Sequence, residues 1–457
     1  MNAATRAAAI SSAFALAACQ SSSLAVSPPQ ASSQARYAAP ASLRTVRALD
    51  LLGKFKHVVI VVQENRTTDN LFNGLPGADT VQKGLNSKGQ SVPLSKVSLS
   101  SPYDIQHDHT AFRTEYDGGK MNGFDLVVSH CHGNCPPPET RAYGYVDPTE
   151  TAPYFAMAEQ YAFADRMFQS NQGPSFPAHL YVIAGSSEDA VGSQYKISEN
   201  PNRPQGGHTA GCDSPPGTLA MLIDQNGNEN QSIFPCIDVP TIFDLLYKKQ
   251  LSWRYYQDHN GPGLWNAADA IEHLRKGARY HENVLAPSGQ FLRDVARGNL
   301  ATLSVITPSA KDSDHAGITG KGGPSWVAAI VNAVGSSPYW QNTAIFVTWD
   351  DWGGWYDHVK PPMYNSYELG MRVPLVVVSP YTPAGYVSHV QHEFGSMLKF
   401  IEETYGLGSL DTTDARADDL SDCFNFSQAP RQFVPIHAPR PRSYFLDEPS
   451  SSPPIDD

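Results

Sequence analysis

Four apolar runs, rich in β-branched residues, alternate along the chain with stretches of helical periodicity. Each run is continuous rather than alternating, which is typical of strands buried on both faces of a parallel sheet. The runs span 56–63, 301–308, 343–348 and 373–379. The helical patterns span 152–161, 241–250, 291–297, 326–336 and 393–405. Strands that alternate with helices predict an α/β fold, a sandwich around a mostly parallel sheet.

Two long stretches, 73–150 and 186–240, lack a clear period and are rich in Gly, Pro, Ser and Asn. They are interpreted as loop insertions into the α/β core, with room for short hairpins. The Pro-rich residues 427–457 are expected to form a tail that wraps around the core or frays. The predicted catalytic domain therefore spans 49–426, and the chain is long enough to bury a large core.

The N-terminus has the pattern of an export signal. Residues 1–19 carry one Arg, a short apolar stretch and small residues before Cys19, and they are too short to span a bilayer. Residues 16–19, Leu-Ala-Ala-Cys, resemble the lipobox of bacterial lipoproteins, which would make Cys19 the lipidated residue. An ordinary signal peptide cleaved nearby is the alternative. Residues 20–48 are expected to be a flexible polar tether, so we expect a periplasmic or outer-membrane lipoprotein anchored to the membrane.

The net charge limits the classes of molecule that the protein can bind, and the cysteine content bears on the compartment in which it folds. The net charge is −12 and no run of Lys or Arg is present, which argues against nucleic-acid binding. No protein partner is predicted. Export permits disulfides, and the expected pairs are Cys131–Cys135 and Cys212–Cys236, which leaves Cys423 over. A zinc site at Cys131, His132 and Cys135 is the rival interpretation, although it lacks a second Cys/His pair.

Polar clusters follow the predicted strands where an α/β sheet binds its ligands, beyond the carboxyl ends of the strands. Glu64 and Asn65 follow the first run, and Asp350 and Asp351 follow the third. Oxygen donors from separate strand ends are how proteins hold a hard divalent cation. Ser175 precedes a predicted helix, where free N–H groups suit an anion such as phosphate. Taken singly, each of these residues could equally be a helix cap or a solvated turn.

Several longer motifs resemble the bacterial phosphoesterase family, which contains the non-specific phospholipases C and the respiratory-burst-inhibiting acid phosphatases. The resemblance covers about residues 53–408. It rests on ENRTTDNLF from residue 64, DIQHDHTAF from 104, DGGKMNGF from 117, GPSFPAHLYVIAG from 173, PCIDVPTIFDLL from 235 and DD-x-GG-x-x-DHV from 350. The resemblance implies an alkaline-phosphatase-like three-layer sandwich that binds a metal ion.

Carried over residue by residue, the resemblance implies one divalent metal ion, of unspecified identity, and a hydroxyl nucleophile. The implied metal ligands are Glu64, Asn65, Asp350 and Asp351. The implied nucleophile is Ser175, and the implied catalytic histidines are His107, His315 and His358. The sequence departs from the phospholipases at two positions, because Asp351 replaces a Glu and His179 stands where they tend to carry Arg. His179 is expected to contact the substrate.

The expected function is metal-dependent hydrolysis of a phosphoric ester through a phosphoseryl intermediate on Ser175. A serine nucleophile, the His at position 179 and the lack of additional β domains favour an acid-phosphatase-like phosphomonoesterase. The alternative is a phospholipase C that cleaves phospholipid head groups. An alternative of another class is a non-catalytic surface protein that keeps the fold for binding. A sulfatase-like relative is disfavoured, because residues 175–179 end in His rather than in the Arg of a C/S-x-P-x-R motif.

Overall fold

The centre of the protein, in a computed structural model that describes residues 51–318 and 320–450, is an eight-stranded sheet. Its strands are β1 His57–Gln63, β2 Ala162–Ala164, β3 Trp253–Tyr256, β4 Val284–Leu285, β5 Leu303–Ile306, β6 Thr343–Trp349, β7 Leu375–Val378 and β8 Tyr386–Ser388. Their order in the sheet is β4-β3-β5-β1-β6-β7-β2-β8. Only β7 runs antiparallel to its neighbours. The expected mostly parallel sheet is therefore confirmed, and each of the four apolar runs contains a strand.

Two groups of helices pack around this sheet. The longer helices are α1 His109–Tyr116, α2 Ala152–Gln160, α3 Ser175–Ala184, α4 Ile242–Lys248, α5 Gln290–Ala296, α6 Gly323–Gly335 and α7 Phe394–Tyr405. Helix α6 contacts α2 and α5, whereas α3 contacts α4 and α7. Strands β1 and β6 are buried at almost every position, which requires that both faces of the sheet are covered. None of the described helices is long and apolar enough to cross a membrane.

The stretches predicted as loops contain more structure than their composition indicates. Residues 73–150 include α1 and three short pairings, and 186–240 include a three-stranded antiparallel sheet. The strands are Lys83–Leu85 with Ser91–Pro93, Ser95–Val97 with Gly144–Val146, Tyr103–Ile105 with Ser129–Cys131, and Lys196–Ile197, Ala220–Ile223 and Glu229–Ile233. Strands of two to five residues are too short to show a two-residue period, so the sequence could not reveal them.

The remaining short elements close the structure around the core. They are the helices Thr68–Leu71, Ala267–Ala270, Glu272–Arg275, Tyr280–Asn283 and Arg442–Leu446, six single 3₁₀ turns, and the parallel pair Met167–Phe168 with His392–Glu393. Within the Pro-rich tail, Ile436 and Phe445 are buried and Arg442–Leu446 contacts α6. The described part of the tail therefore wraps around the core. The predicted signal peptide, tether and lipidation at Cys19 lie outside the described residues.

Candidate active site and metal centre

The register of the two central strands brings the first two clusters together. Strands β1 and β6 pair over their whole length, from His57 opposite Thr343 to Gln63 opposite Trp349. Glu64 and Asp350 therefore leave adjacent strands at the same level. The backbone N–H of Asn65 donates to Oδ1 of Asp350 at 3.1 Å. Asn65 has a φ of 63°, a left-handed conformation that Asn tolerates better than most residues.

The turn after β6 is built to fit against this asparagine. Gly353 has a φ of 61°, and a Cβ there would lie 2.5 Å from the Asn65 carbonyl oxygen. Its N–H donates to Oδ1 of Asp351 at 2.8 Å, which orients that carboxylate. The amide nitrogen of Asn65 also donates to the Asp351 carboxylate, at 3.1 and 3.3 Å. Side chains from both strand ends are thus held by hydrogen bonds before any ligand binds.

Helix α3 brings the third cluster to the same point. Ser175 is its first residue, and its hydroxyl lies 3.2 Å from Oδ2 of Asp351 and 3.5 Å from Oε2 of Glu64. One turn later, Nε2 of His179 lies 3.1 Å from Oε1 of Glu64 and 3.7 Å from Oδ2 of Asp350. Every residue of α3 is buried, which fixes the position of both side chains. His179, expected at the substrate, therefore lies among the expected metal ligands.

The residues gathered here fit a divalent cation. Glu64, Asp350 and Asp351 are fully buried, and buried carboxylates normally need a cation or a metal ion. Each of Glu64, His179 and Asp350 offers a donor atom, and these atoms all lie within 4.8 Å of one another. Oδ1 of Asn65 and Oδ2 of Asp350 are buried and make no hydrogen bond to any described residue. Orphaned oxygens beside an imidazole nitrogen are the donor chemistry of a divalent metal site.

Two of the three predicted catalytic histidines border this cluster. The rings of His107 and His315 lie 5.9 Å apart between centroids. Nδ1 of His107 is 2.7 Å from the Ile105 carbonyl, and Nδ1 of His315 is 2.6 Å from the Ala316 carbonyl. These contacts place the proton on Nδ1, so Nε2 can accept or deliver a second proton. Nε2 of His107 lies 3.0 Å from the Asn65 amide nitrogen, at the edge of the cluster.

The structure does not bring the third predicted catalytic histidine, His358, into this group. Nδ1 of His358 is 2.6 Å from Asp69 and its Nε2 is 3.1 Å from Asp79. Burial lowers the pKa of His358, but the hydrogen bond and charge of Asp69 outweigh burial, so the pKa is raised overall. The neighbouring Asp357 pairs with Arg372. His358 is therefore part of a separate ion-pair cluster. We interpret its role in the motif as holding the neighbouring segments in place rather than as catalysis.

One supporting residue, Arg66, was not singled out by sequence reasoning. Its guanidinium is fully buried and donates to the Asp314 carbonyl at 2.8 and 2.6 Å and to the Leu99 carbonyl at 2.7 Å. Arg66 thus ties the segment that carries His315 to the turn that carries Glu64. The sequence did offer one signal for this supporting role, because Arg66 directly follows Glu64 and Asn65. A cationic side chain cannot bind a metal ion, so its place beside two candidate ligands indicates another function.

Both predicted disulfides are present. Cys131 pairs with Cys135, and Cys212 pairs with Cys236, so the zinc interpretation of the first pair is excluded. Cys423 is a buried free thiol. We call the stretch DD-x-GG-x-x-DHV from residue 350 the late motif. Four aromatic residues in or beside it are buried: Trp349, Trp352, Trp355 and Tyr356.

Several known proteins are similar to this chain. The sequence matches the model of the Phosphoesterase family over residues 55–408. It is 26% identical to the "Non-hemolytic phospholipase C" of Pseudomonas aeruginosa, aligning 86% of this chain with 60% of that protein. It is 25% identical to the "Non-specific phospholipase C6" of Arabidopsis thaliana, with 84% and 75% covered. A solved protein of the alkaline phosphatase superfamily from Vibrio parahaemolyticus aligns with a TM-score of 0.38 and 10% identity, over 82% and 78% of the two chains.

The fold and the family match define a class of protein. The α/β sheet carries a serine and two buried carboxylates together at its carboxyl edge. The chain belongs to the Phosphoesterase family, whose model covers most of it. The chain spans 60% of the length of the Pseudomonas relative and 75% of the Arabidopsis one.

Proposed function

We propose that this protein is a phosphodiesterase of the phospholipase C type, which uses Ser175 to release the phosphorylated head group from a phospholipid. The observation that carries the proposal is the position of the Ser175 hydroxyl, 3.2 and 3.5 Å from two buried carboxylates at the carboxyl edge of the sheet. The substrate class is supported by the relatives, which are named phospholipases C. Their names fit this alternative better than the phosphomonoesterase expected from the sequence.

Glu64, Asn65, Asp350 and Asp351 are the residues that would hold a divalent ion, and His179 adjoins them. When bound, such an ion offsets the carboxylate charge, polarises a phosphoryl oxygen and lowers the pKa of the serine hydroxyl. The number of ions stays open in this proposal. Asn65 serves twice, because its amide nitrogen orients Asp351 while its orphaned oxygen is left to bind.

The reaction divides into two displacements at phosphorus. Ser175 Oγ passes its proton to the Asp351 carboxylate and forms a bond to phosphorus as the bond to the glycerol oxygen breaks, which leaves the phosphorylated head group on the serine; the serine regains this proton when water displaces it. The departing alkoxide needs a proton, and we assign its delivery to Nε2 of His107 or His315, since Nδ1 of each ring faces a backbone carbonyl. Water then displaces the serine, and the same histidine can accept the proton of that water. The dry surroundings of the buried residues strengthen each of these electrostatic contacts.

The nucleophile is tested with Ser175→Ala and Ser175→Thr. We expect Ser175→Ala to lower kcat by about 10³-fold or more while metal content stays at the wild-type level, because the hydroxyl forms the covalent intermediate. Ser175→Thr keeps a hydroxyl in place and should retain measurable turnover. Mass spectrometry after rapid quenching of p-nitrophenylphosphorylcholine turnover should find phosphorylcholine on residue 175. Turnover of Ser175→Ala within about tenfold of wild type would exclude Ser175 as the nucleophile.

The substrate class is tested with a panel of three compounds. Phosphatidylcholine vesicles and p-nitrophenylphosphorylcholine are diesters, and p-nitrophenyl phosphate is a monoester. We expect a higher kcat/KM for the diesters, with release of choline phosphate from the vesicles. Exclusive turnover of p-nitrophenyl phosphate would instead establish the phosphomonoesterase. Binding of inorganic phosphate without turnover of any compound would favour the non-catalytic binding protein.

We also propose export and membrane anchoring through Cys19, which would place the site beside phospholipids. A cell expressing the full chain should hold the protein in its membrane fraction, and globomycin, which blocks lipoprotein signal cleavage, should cause the uncleaved form to accumulate. Cys19→Ser should release the protein into the soluble exported fraction. Identical fractionation of Cys19→Ser and wild type would contradict anchoring through this residue.

A further inference from the structure

A second group of metal-ligating side chains lies apart from the residues around Ser175. It contains His392, from the short strand His392–Glu393, together with Asp422 and Cys423 from the 3₁₀ turn Ser421–Cys423. The ligand atoms of these three side chains all lie within 4.8 Å of one another. The turn follows residue 408, where the match to the Phosphoesterase family ends, so the group combines a family segment with a segment outside the match.

The separations within this group fit a tetrahedral ion. Nε2 of His392 lies 3.6 Å from Oδ1 of Asp422, and Sγ of Cys423 lies 3.9 Å from the same oxygen. At usual zinc bond lengths, two ligands of one tetrahedral ion lie about 3.4 Å apart for nitrogen and oxygen, and about 3.6 Å apart for sulfur and oxygen. Adjustments of a few tenths of an ångström would therefore bring these two pairs to the separations around a bound ion, and the imidazole nitrogen and the thiol sulfur lie within 4.8 Å of each other. Imidazole, thiolate and carboxylate together are typical zinc ligands.

The hydrogen bonds within the group do not satisfy both ring nitrogens of His392. His392 and Cys423 are almost fully buried. Nδ1 of His392 lies 3.2 Å from Oδ1 of Asp418 yet makes no hydrogen bond to any described residue. On the other edge of the ring, Ser388 is 3.2 Å from Nε2 but gives its own proton to Asp422. Because Ser388 donates to Asp422, it gives no proton to Nε2, and an ion bound at Nε2 would leave the ring proton on Nδ1, which faces the Asp418 carboxylate.

We propose that His392, Asp422 and Cys423 bind one divalent transition-metal ion of the zinc class, separate from the ion expected beside Ser175. The side chain of Asp422 is 14% exposed and that of Asp418 is 27% exposed, so an ion can enter from solvent. Three protein ligands leave a fourth position for water. Because His392 lies two residues before α7 and the turn Ser421–Cys423 follows that helix, the ion fastens this turn to the start of α7. Its role is structural.

The test uses cobalt as the probe in the full chain carrying Cys19→Ser. In this background Cys423 is the only cysteine outside the two disulfides, so it alone can give a thiolate-to-cobalt charge-transfer band in the near ultraviolet. We expect this band on addition of Co²⁺, its loss on addition of excess Zn²⁺, and one more equivalent of bound zinc than in Cys423→Ser. His392→Gln should also lose the band and that equivalent. Ser421→Ala, in the same turn, should lose neither.

The controls separate this site from the proposed active site. Asp350→Asn should weaken binding beside Ser175 while the thiolate band persists, and Cys423→Ser should do the reverse. The absorption spectrum of the parent protein, the full chain carrying Cys19→Ser, tests the proposal even if a further variant fails to fold. Absence of the band in the parent, with Cys423 shown to be reduced, would overturn the proposal. Nuclear magnetic resonance would then be expected to show His392 doubly protonated between Asp418 and Asp422.

Discussion

Replacing Arg372 by Met tests whether the second half of the late motif supports the site. Arg372 is fully buried and donates to Asp357 at 2.9 and 3.0 Å and to the carbonyl of Asp165 at 2.8 Å. Its guanidinium also lies 3.6 Å from Asp69, and both carboxylates are fully buried. Removing the cation leaves two buried negative charges with only His358 to offset them. Breaking such a buried pair lowers the free energy of unfolding by about 3–5 kcal/mol.

The assay is calorimetric melting at pH 8. Unfolding entropy is about 2.1 cal/mol/K per residue, so over about 400 residues a loss of 3–5 kcal/mol lowers Tm by about 4–6 °C. The matched control is Arg166→Met. Arg166 also pairs with an aspartate, Asp79, at 2.8 Å, but its side chain is 38% exposed. An exposed pair of this kind contributes about 0–1 kcal/mol, so the control should melt within about 1 °C of wild type.

The pH dependence of stability provides a second test of Arg372→Met. Burial raises the pKa of Asp357 to about 6, and the charge of Arg372 opposes that rise. The folded state then binds a proton more readily than the unfolded state, so stability falls as pH rises from about 4 to 6. Without Arg372 the pKa rises further, and the deficit of the variant should be smaller at pH 5 than at pH 8. A deficit no larger than that of Arg166→Met, or one that grows as pH falls, would refute the reasoning.

Two further predictions follow from the same surroundings. Burial raises the pKa of Asp314 to about 6, so this carboxyl alone should lower wild-type stability by up to about 3 kcal/mol as pH rises from about 4 to 6, in addition to the contribution of Asp357. Urea midpoints should show that Asp314→Asn loses this share of the pH dependence; a dependence unchanged by the substitution would contradict the prediction. Gly353→Ala places a Cβ 2.5 Å from the Asn65 carbonyl oxygen and should lower metal content and kcat/KM at least tenfold. The control is Gly406→Ala, because Gly406 has a similar φ of 59° but the nearest atom to its added Cβ would lie 3.7 Å away. This variant should change neither metal content nor kcat/KM. Equal effects of Gly353→Ala and Gly406→Ala would mean that backbone strain alone is responsible.

The sequence was informative where the physical signal is local. Continuous apolar runs predicted β1, β5, β6 and β7, because a strand covered on both faces has no polar side. The same rule placed Glu64 and Asp350 at one edge of the sheet, and the register of β1 with β6 confirms that they leave it at the same level. The pairing of Cys212 with Cys236 could likewise be inferred from spacing and export.

The sequence was uninformative where contacts join distant segments. His179 and His358 each stand in a recognisable motif, and nothing in the motif distinguishes a histidine at a metal centre from one in an ion-pair cluster. The distinction depends on which residues lie opposite, and these are 115 residues away for His179 and 289 for His358. The grouping of Cys423 with His392 is equally remote from any local pattern, since His392 belongs to a different element. Tertiary position alone decides these roles.

The motif ENRTTDNLF from residue 64 and the motif DD-x-GG-x-x-DHV from residue 350 contact each other at three successive points along the chain. These contacts explain why one motif is needed to position the other. At the first level Asn65 N–H donates to Asp350, and at the second the Thr67 hydroxyl donates to the Tyr356 carbonyl at 2.8 Å.

At the third level Asp69 accepts from both the backbone and the ring of His358. A segment held at both ends cannot shift its carboxylates independently, and sub-ångström placement is what a metal centre and an in-line attack require. Arg372→Met should therefore lower kcat as well as Tm, although the guanidinium is bonded to Asp357 and not to the residues around Ser175.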